Sequence, residues 1–401
     1  MIFGTFSSSP ALGPSASSFQ QQLAIGSTTA GPAIPWRRAN VRHTSNELYV
    51  DIVETLSVTL APSGIPLAAF ANGSIAFTSK ISGVPELLLT LSAPGGKSGI
   101  ERALELPVFH PCVRLARWKE RPGELSFVPP DGRFVLAGYE VNLLPSISDL
   151  NSHSSANLRL PASIEVKTSL GPTGSEFEVR LLLTNIFSGS SSTSSASARS
   201  GIGSRISGTA TPTFGAASGS SSQPALEDLF VSVPIPGQIR TITDLRASRG
   251  EAQFSPGDQS VEWRIPGKDA SNGSAMLRCT VVGPLSVEDE DEDVASGFRF
   301  DSVTGDYDDT ESTYQSVATA KKEPTTKQQE QRDQRKVQQN AQLMPSSATL
   351  SFSVKGWLAS GIKVESLLID ARKSRGLGEG VKPYKGVKYL TVSRKGIETR
   401  C

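Results

Sequence analysis

The clearest alternation of apolar and polar residues lies in residues 46–60. From position 48 onward, every even-numbered residue except Glu54 is apolar, whereas the odd-numbered residues are polar or amphipathic except Val53. Successive side chains leave a β-strand on opposite faces, so this pattern predicts a long, half-buried strand. Tyr49 and Asp51 then share the more polar face. Taken alone, these residues favour an ordinary solvent-exposed pair over the floor of a binding slot.

Shorter alternating or apolar runs recur along the chain and predict further strands. These strands are Ala68–Ser79, Leu87–Leu91, Glu176–Leu182, Leu229–Ile235, Ser260–Ile265, Met276–Val282, Ala348–Val354, Ile362–Ile369 and Gly386–Thr391. Pro129-Pro130-Asp131-Gly132 lies between two apolar runs and predicts a hairpin turn, because proline fixes φ and glycine supplies a positive φ. No amphipathic helix is predicted. The fold class is therefore all-β and sandwich-like.

Three stretches lack the apolar residues that a packed core requires. Residues 1–34 are rich in Ser, Ala, Gly and Gln, and are predicted to be a disordered leader. Residues 188–222 are almost wholly small residues, and residues 288–342 begin with an acidic run and end in Lys, Gln and Arg. Both are predicted to be disordered insertions. A hydrophobic content of 37% over 401 residues agrees with disorder on this scale.

Patterns that would carry catalysis or metal binding are weak. The three histidines have no second ligand at helical spacing, so we expect no metal and no cofactor. Residues 94–98 (PGGKS) imitate the end of a phosphate-binding loop. However, Leu91 occupies the position of its first glycine, and a connecting loop is expected in place of the following helix. No G-x-S-x-G elbow occurs, so nothing predicts an enzyme.

Cysteine usage indicates an intracellular protein, the lack of a long apolar run predicts a soluble one, and the net charge predicts no nucleic-acid partner. Three widely separated cysteines fit reduced cytosolic thiols better than a disulfide framework. A formal charge of +1 gives no overall attraction to nucleic acid. The segment after residue 362 is locally basic, and its candidate lipid-facing patch is Arg372, Lys373, Arg375, Lys382 and Lys385. An anionic phosphoinositide surface would gain on the order of 1 kcal/mol per basic residue, although a solvated face explains these residues equally well.

Several short motifs occur in order along the predicted folded part. They are IPWRR (34–38), NELYVDIVE (46–54), SGVPEL (82–87), FHPCVR (109–114), LSFVPPDG (125–132) and GVKY (386–389). Together they resemble the mu homology domain of clathrin-adaptor medium subunits. The FHPCVR and KGVKY motifs are most similar to the mu subunit of the third adaptor complex, which serves traffic from Golgi and endosomes to the lysosome or vacuole.

The resemblance implies an elongated all-β domain of two interleaved β-sandwich subdomains. Residues 35–150 and 360–401 would form the signal-binding subdomain A, and residues 151–359 would form the inserted subdomain B. The expected partners are cytosolic tails of membrane cargo and the large and small adaptor subunits. The expected location is cytoplasmic, on the cytosolic face of Golgi and endosome membranes and transport vesicles.

The resemblance also implies recognition of sorting signals of the form Tyr-x-x-bulky apolar residue, which bind as an added strand. Tyr49, Asp51, Gly386 and Lys388 would form the pocket for the signal tyrosine, and Asp51 would accept a hydrogen bond from its hydroxyl. The apolar pocket and the paired strand would comprise Val364, Leu367, Val387, Tyr389, Leu48 and Val50.

The chain departs from the family pattern at several places. Plasma-membrane adaptors carry a tryptophan at the position of Gly386 and a lysine at that of Thr78, for which Lys80 is a candidate replacement. Strand alternation sends Leu48 and Val50 to the face opposite the tyrosine pocket. Medium subunits also carry an N-terminal longin-like domain in place of this Ser-rich leader. We therefore expect either a truncated sequence or a detached cargo-binding domain, for which assembly with the other adaptor subunits is in question.

Two alternatives to a cargo-binding subunit fit parts of the sequence. One is a mu homology domain that serves an endocytic protein as an interaction or scaffold module without reading tyrosine signals. Such domains tend to lose the aromatic–aspartate pair, which is present here as Tyr49 and Asp51. The other is a secreted, Ser-rich surface protein or carbohydrate-acting enzyme on a β-sandwich. The N-terminal residues lack the basic and then apolar pattern of a signal peptide.

Overall fold

The computed structural model describes residues 34–104, 106–144, 158–184, 224–270, 273–284, 326–378 and 381–401. The predicted leader, apart from its last residue, lies outside the described residues. So do the predicted insertion 188–222 and positions 288–325 of the second predicted insertion.

The described residues form β-strands for most of their length. The strands are β1 (Glu47–Leu60), β2 (Pro66–Lys80), β3 (Leu87–Ser92), β4 (Val108–Phe109), β5 (Glu124–Phe127), β6 (Gly132–Asn142), β7 (Ala162–Leu170), β8 (Glu176–Leu183), β9 (Ala225–Leu226), β10 (Leu229–Pro234), β11 (Thr241–Ala247), β12 (Glu251–Ser255), β13 (Ser260–Ile265), β14 (Gly273–Val282), β15 (Ser347–Lys355), β16 (Lys363–Ile369) and β17 (Tyr384–Arg400). The helices are α1 (Gly96–Ala103), α2 (Leu115–Glu120) and α3 (Thr326–Ala341), with a 3-10 turn at Gly267–Asp269. The prediction of an all-β fold is confirmed. Among the described helices, none is long and apolar enough to cross a membrane.

The described strands pair into three sheets. The largest has ten strands in the order β12-β13-β10-β15-β17-β1-β2-β6-β4, with β9 paired to β15. The others are β11-β14-β8-β7 and β16-β3-β5. Strand β17 is central, because it pairs in parallel with β1 and antiparallel with β15. One continuous sheet therefore contains strands from both predicted subdomains.

The alternation in β1 determines which face of the large sheet is buried. Its even-numbered residues Leu48, Val50 and Ile52 are all 0% exposed, whereas the odd-numbered residues are half-buried or exposed. The small sheet β16-β3-β5 covers this inner face. The rings of Phe77 on β2 and Phe127 on β5 meet edge to face, with centroids 5.2 Å apart, and join the two sheets.

The hairpin predicted at Pro129–Gly132 is wrong. Strand β5 pairs with β3, whereas β6 pairs with β2 and β4, so the turn carries the chain from one sheet to the other. Residues before β1 hold this crossing in place. The Trp36 indole N–H donates to the Val128 carbonyl (2.8 Å), and the buried Arg37 guanidinium donates to the Pro129 carbonyl (3.0 Å). The IPWRR motif thus has a structural role.

The prediction of disorder for 288–342 is wrong for its last part, Thr326–Ala341, which forms helix α3. This segment contains neither glycine nor proline and is rich in Gln, Lys and Arg, which are good helix formers. Helix α1 likewise begins at Gly96, within the PGGKS segment, where a plain loop was expected. The phosphate-loop pattern stays incomplete, because Leu91 is a buried residue of β3.

Candidate functional site

The residues predicted for the tyrosine pocket lie together on the outer face of the large sheet. In the parallel pairing of β1 with β17, Tyr49 is opposite Gly386 and Asp51 is opposite Lys388. On its other side, Tyr49 is opposite Thr78 of β2. Paired residues in neighbouring strands share a face, so all four predicted pocket residues form one patch. We call Tyr49, Asp51, Gly386 and Lys388 the outer group.

The cation beside Asp51 comes from β6. Arg133 is opposite Thr78, and its Nη2 lies 3.5 Å from Oδ2 of Asp51, whose side chain is 22% exposed. The amine of Lys80 lies 3.5 Å from Oε2 of Glu47. Arg133, rather than the candidate Lys80, therefore accompanies the predicted acceptor of the signal hydroxyl.

An aromatic pair borders the outer group. The rings of Tyr49 and Tyr384 lie 5.8 Å apart between centroids, at an interplanar angle of 52°. The Tyr49 hydroxyl donates to Oε2 of Glu47 at 3.3 Å. Partial desolvation, with the Glu47 carboxylate nearby, raises the pKa of the Tyr49 hydroxyl. Tyr384 is 55% exposed and Tyr49 is half-buried, so an aromatic ligand can pack against the pair.

The second predicted set lies on the inner face, between the large sheet and the β16-β3-β5 sheet. We call Leu48, Val50, Val364, Leu367, Val387 and Tyr389 the inner group. Val50 is opposite Val387, and the Val364 N–H donates to the Tyr389 hydroxyl at 2.9 Å. Burial raises the pKa of this Tyr389 hydroxyl. The hydrogen bond brings β16 against β17, and the other five side chains of the group are aliphatic.

Leu48 and Val50 differ from the rest of the inner group in their burial. Both are 0% exposed, so they form the floor of the group and do not contribute an open wall. Val364 is 8% exposed and Leu367 is 1% exposed, and Val387 is half-buried. In the described conformation the inner group is therefore closed, whereas the outer group is accessible.

Both groups lie beside one edge of strand β17. Strand β15 pairs with β17 only from Leu390 onward, and the Gly356 N–H donates to the Tyr389 carbonyl at the end of that pairing. Tyr384 donates its N–H towards β1, so by alternation the N–H and C=O of Val387 point away from β1. The described strand pairings give Val387 no neighbour on that side. An extended peptide added there would have the outer group on one face and the inner group on the other.

The five residues of the candidate lipid-facing patch do not all lie on one exposed surface, as was predicted. Arg372, Lys373, Arg375 and Lys382 are exposed. The Lys385 amine instead points to the inner side of β17, where it donates to the Leu367 carbonyl at 2.5 Å. Burial lowers the pKa of this amine. Including Lys385 in a surface patch is therefore wrong, because alternation along β17 turns its side chain inward.

Two residues near the outer group were missed from the sequence. Tyr384 lies two positions before Gly386, so alternation along β17 could have assigned it to the same face. Arg133 could not have been found in this way, because its position depends on the register of β6 against β2. Such pairing between distant strands is not encoded in a local pattern.

Two other family motifs build the frame of the site. In SGVPEL and FHPCVR, Glu86 is 5% exposed and accepts hydrogen bonds from Arg114 Nη2 (2.7 Å) and from the Ser126 hydroxyl (3.0 Å). The Cys112 N–H donates to Nδ1 of His110 at 3.1 Å.

Within the described residues, no group of three or more His, Cys, Asp or Glu side chains is arranged to hold a metal ion.

Comparison with known proteins gives a family match over nearly the whole chain. The profile described as "Adaptor complexes medium subunit family" matches residues 34–401. The AP-3 complex subunit mu of Eremothecium gossypii is 26% identical over 387 residues, which cover 94% of this chain and 62% of that protein. The AP-3 complex subunit mu-1 of Homo sapiens is 43% identical over 109 residues, which cover 27% of this chain and 24% of that protein. The chain thus spans less than two thirds of the length of these relatives.

Known structures are also similar to the chain. One is a homology model of the full-length AP-3 complex in an intermediate open conformation, with a TM-score of 0.49 and 19% identity, covering 89% of this chain and 69% of that one. Another is the yeast delta-COP-I mu-homology domain, with a TM-score of 0.44 and 10% identity, covering 90% of this chain and 100% of that one.

Proposed function

This chain belongs to the adaptor complexes medium subunit family, and we propose that it binds cargo as the medium subunit of a vesicle-coat adaptor. The proposed ligand is a cytosolic tail with the signal Tyr-x-x-bulky apolar residue. The proposed pathway runs from Golgi or endosome to vacuole or lysosome. Proteins of this family are adaptor subunits and not enzymes.

The observation that carries this proposal is the pair of groups on opposite faces of one sheet edge. In an added strand, residues one and four are separated by an odd number of positions, so their side chains leave the strand on opposite faces. A signal beside Val387 would direct its tyrosine to the outer group and its bulky residue to the inner group. Because the two signal residues would bind on opposite faces, the orientation of Leu48 and Val50 away from Tyr49 is compatible with the proposal.

The chemistry of each face fits the residue proposed to bind there. The outer group combines an aromatic ring with the Asp51 carboxylate, and a phenol needs both an apolar surface and a polar partner. The inner group is apolar, and it must open slightly to admit the bulky residue. Phosphorylation of the signal tyrosine would block binding, because the phosphate adds bulk and negative charge beside Asp51.

The partners and location of the protein form the second part of this proposal. We propose that the large and small adaptor subunits associate with the chain on Golgi and endosome membranes and vesicles. The exposed Arg372, Lys373, Arg375 and Lys382 are proposed to face phosphoinositide headgroups. The division into subdomain A (35–150 and 360–401) and subdomain B (151–359) is proposed as well.

The test is calorimetric titration of a Tyr-x-x-Leu peptide against the wild-type chain and Asp51→Ala. A hydrogen bond to a charged group contributes about 1.5–3 kcal/mol, so we expect binding to weaken about 10- to 100-fold. Asp258→Ala, an exposed aspartate in the β12–β13 turn, is the matched control and should bind as the wild type does. A Tyr-x-x-x-Leu peptide should bind poorly, because its two side chains would share one face.

Two results would refute the proposal. One is the absence of binding to the wild-type chain. The other is equal binding by the wild type and Asp51→Ala. Either result would favour a mu homology domain that serves as an interaction module and does not read tyrosine signals.

A further inference from the structure

A second aromatic residue, which was not among the predicted pocket residues, borders the outer group. Tyr384 and Gly386 occupy alternate positions of β17 and therefore share the outer face with Tyr49. Tyr384 is 55% exposed, and its ring lies 5.8 Å from that of Tyr49, centroid to centroid. Tyr384 is opposite Glu47, so the two rings form a surface built from β1 and β17 that borders the outer group on the side of Tyr49 away from Asp51.

Gly386 makes this arrangement possible by having no side chain. A Cβ at position 386 would lie 2.7 Å from Cδ1 and 3.0 Å from Cε1 of Tyr49, and 3.5 Å from Cε1 of Tyr384. The Tyr49 ring therefore occupies the space above β17 that any side chain at position 386 would need. Gly386 therefore leaves the space in which the Tyr49 ring packs, and its effect is more than the loss of one side of the pocket.

We infer that Tyr384 determines the specificity of the outer group by supplying its second aromatic wall. This inference rests on the proposed function and deepens it. The ring of the signal tyrosine packs against the Tyr49–Tyr384 pair, and its hydroxyl reaches the Asp51 carboxylate. In this chain the second aromatic wall is Tyr384, two residues before Gly386 on β17.

This inference and the simple loss of a wall at Gly386 predict different effects of substitutions on peptide binding. If the wall were simply lost, Gly386→Trp would strengthen binding and Tyr384→Ala would have no effect. If Tyr384 supplies the wall, Tyr384→Ala weakens binding, and Gly386→Trp fails to strengthen it because Tyr49 is displaced. An aromatic contact contributes about 0.5–1.5 kcal/mol beyond its buried area, so Tyr384→Ala should weaken binding about two- to tenfold.

The experiment titrates Tyr-x-x-Leu and Phe-x-x-Leu peptides against the wild type, Tyr384→Ala, Tyr384→Phe, Gly386→Trp and Asp51→Ala. Tyr384→Phe should bind as the wild type does, because it keeps the ring. Tyr384→Ala should weaken both peptides by the same factor, since the wall contacts the ring and not the hydroxyl. Asp51→Ala should weaken only the tyrosine peptide. Leu182→Ala, a 46% exposed apolar residue on β8, is the control for general loss of surface area.

The outcomes separate this inference from the proposed function. If Asp51→Ala weakens binding and Tyr384→Ala does not, the inference is overturned while the proposed function stands. Equal losses in Tyr384→Ala and Tyr384→Phe would also overturn it, because the hydroxyl would then be the important group. Tighter binding by Gly386→Trp would overturn it as well. If the wild type binds neither peptide, the proposed function itself fails.

Discussion

Glu54 is the one charged residue among the inward-facing positions of β1, and we predict that replacing it destabilises the fold. It is 0% exposed. The Tyr139 hydroxyl donates to its Oε1 at 2.8 Å, and the Ser360 N–H donates to its Oε2 at 3.1 Å. The Ser360 hydroxyl also donates to Oε1. One carboxylate therefore joins β1 to β6 and to the segment that precedes β16.

The size of the effect follows from the donors that would lose their acceptor. A buried donor left unsatisfied costs about 1–3 kcal/mol, so Glu54→Ala, which strands Tyr139 and Ser360, should lower the free energy of unfolding by about 2–5 kcal/mol. Glu54→Gln keeps the volume and one acceptor, but turns an N–H₂ group towards a donor. We expect this variant to lose about 1–3 kcal/mol.

Equilibrium urea denaturation, with an unchanged slope, measures this loss. Glu140→Gln, an exposed glutamate on β6, is the matched control and should stay within about 0.5 kcal/mol of the wild type. A double-mutant cycle of Glu54→Ala with Tyr139→Phe should give a coupling of about 1 kcal/mol or more. Additive losses, or a Glu54→Ala protein as stable as the control, would contradict the reasoning.

Two further predictions concern buried positions. A Cβ on Gly73 would lie 2.1 Å from the Tyr139 ring, so Gly73→Ala should lower the free energy of unfolding in urea by about 1–3 kcal/mol. At Gly138 the nearest contact of an added Cβ is 4.0 Å away, so Gly138→Ala is the control and should stay within about 1 kcal/mol of the wild type. Equal effects of the two substitutions would contradict this prediction. Burial raises the pKa of Cys112 and of Cys279 to about 12, so at pH 8 both remain protonated thiols. Iodoacetamide should label these two thiols only after unfolding, as measured by mass spectrometry of their peptides, whereas the exposed Cys401 is open to the reagent. Rapid labelling of Cys112 or Cys279 in the folded chain would refute their burial.

Alternation identified strands well, because it reports the environment of each side chain, but it carried little information on which strands pair. Strand β1 was predicted within two residues of its observed start. The connection at residues 129–132 looked like a hairpin, yet its two strands belong to different sheets. The apolar–polar pattern also failed to predict helix α3. Its residues favour a helix intrinsically but have little apolar content to signal burial.

The candidate site was predictable where family motifs carried it and unpredictable where register decided it. Tyr49 and Gly386 are distant in sequence and become neighbours only through the parallel pairing of β1 with β17. Arg133 reaches Asp51 through the β2–β6 register, which no local pattern contains. The fit of the Tyr49 ring above Gly386 depends on interatomic distances, which the sequence does not show.

The open edge of β17 depends on how the chain leaves β15. At Gly356, with φ of 78°, the chain turns out of the large sheet and crosses to β16 beneath it, leaving the edge at Val387 without a described neighbour. The crossing segment is held at Ser360 by Glu54 and at the Trp357 carbonyl, which accepts the Thr391 hydroxyl at 2.8 Å. Strand β1 therefore contributes Tyr49 and Asp51 to the outer group from its odd positions and the floor of the inner group from its even positions, and its Glu54 bonds the crossing segment. The one polar residue on the buried face of β1 therefore holds the crossing segment in place.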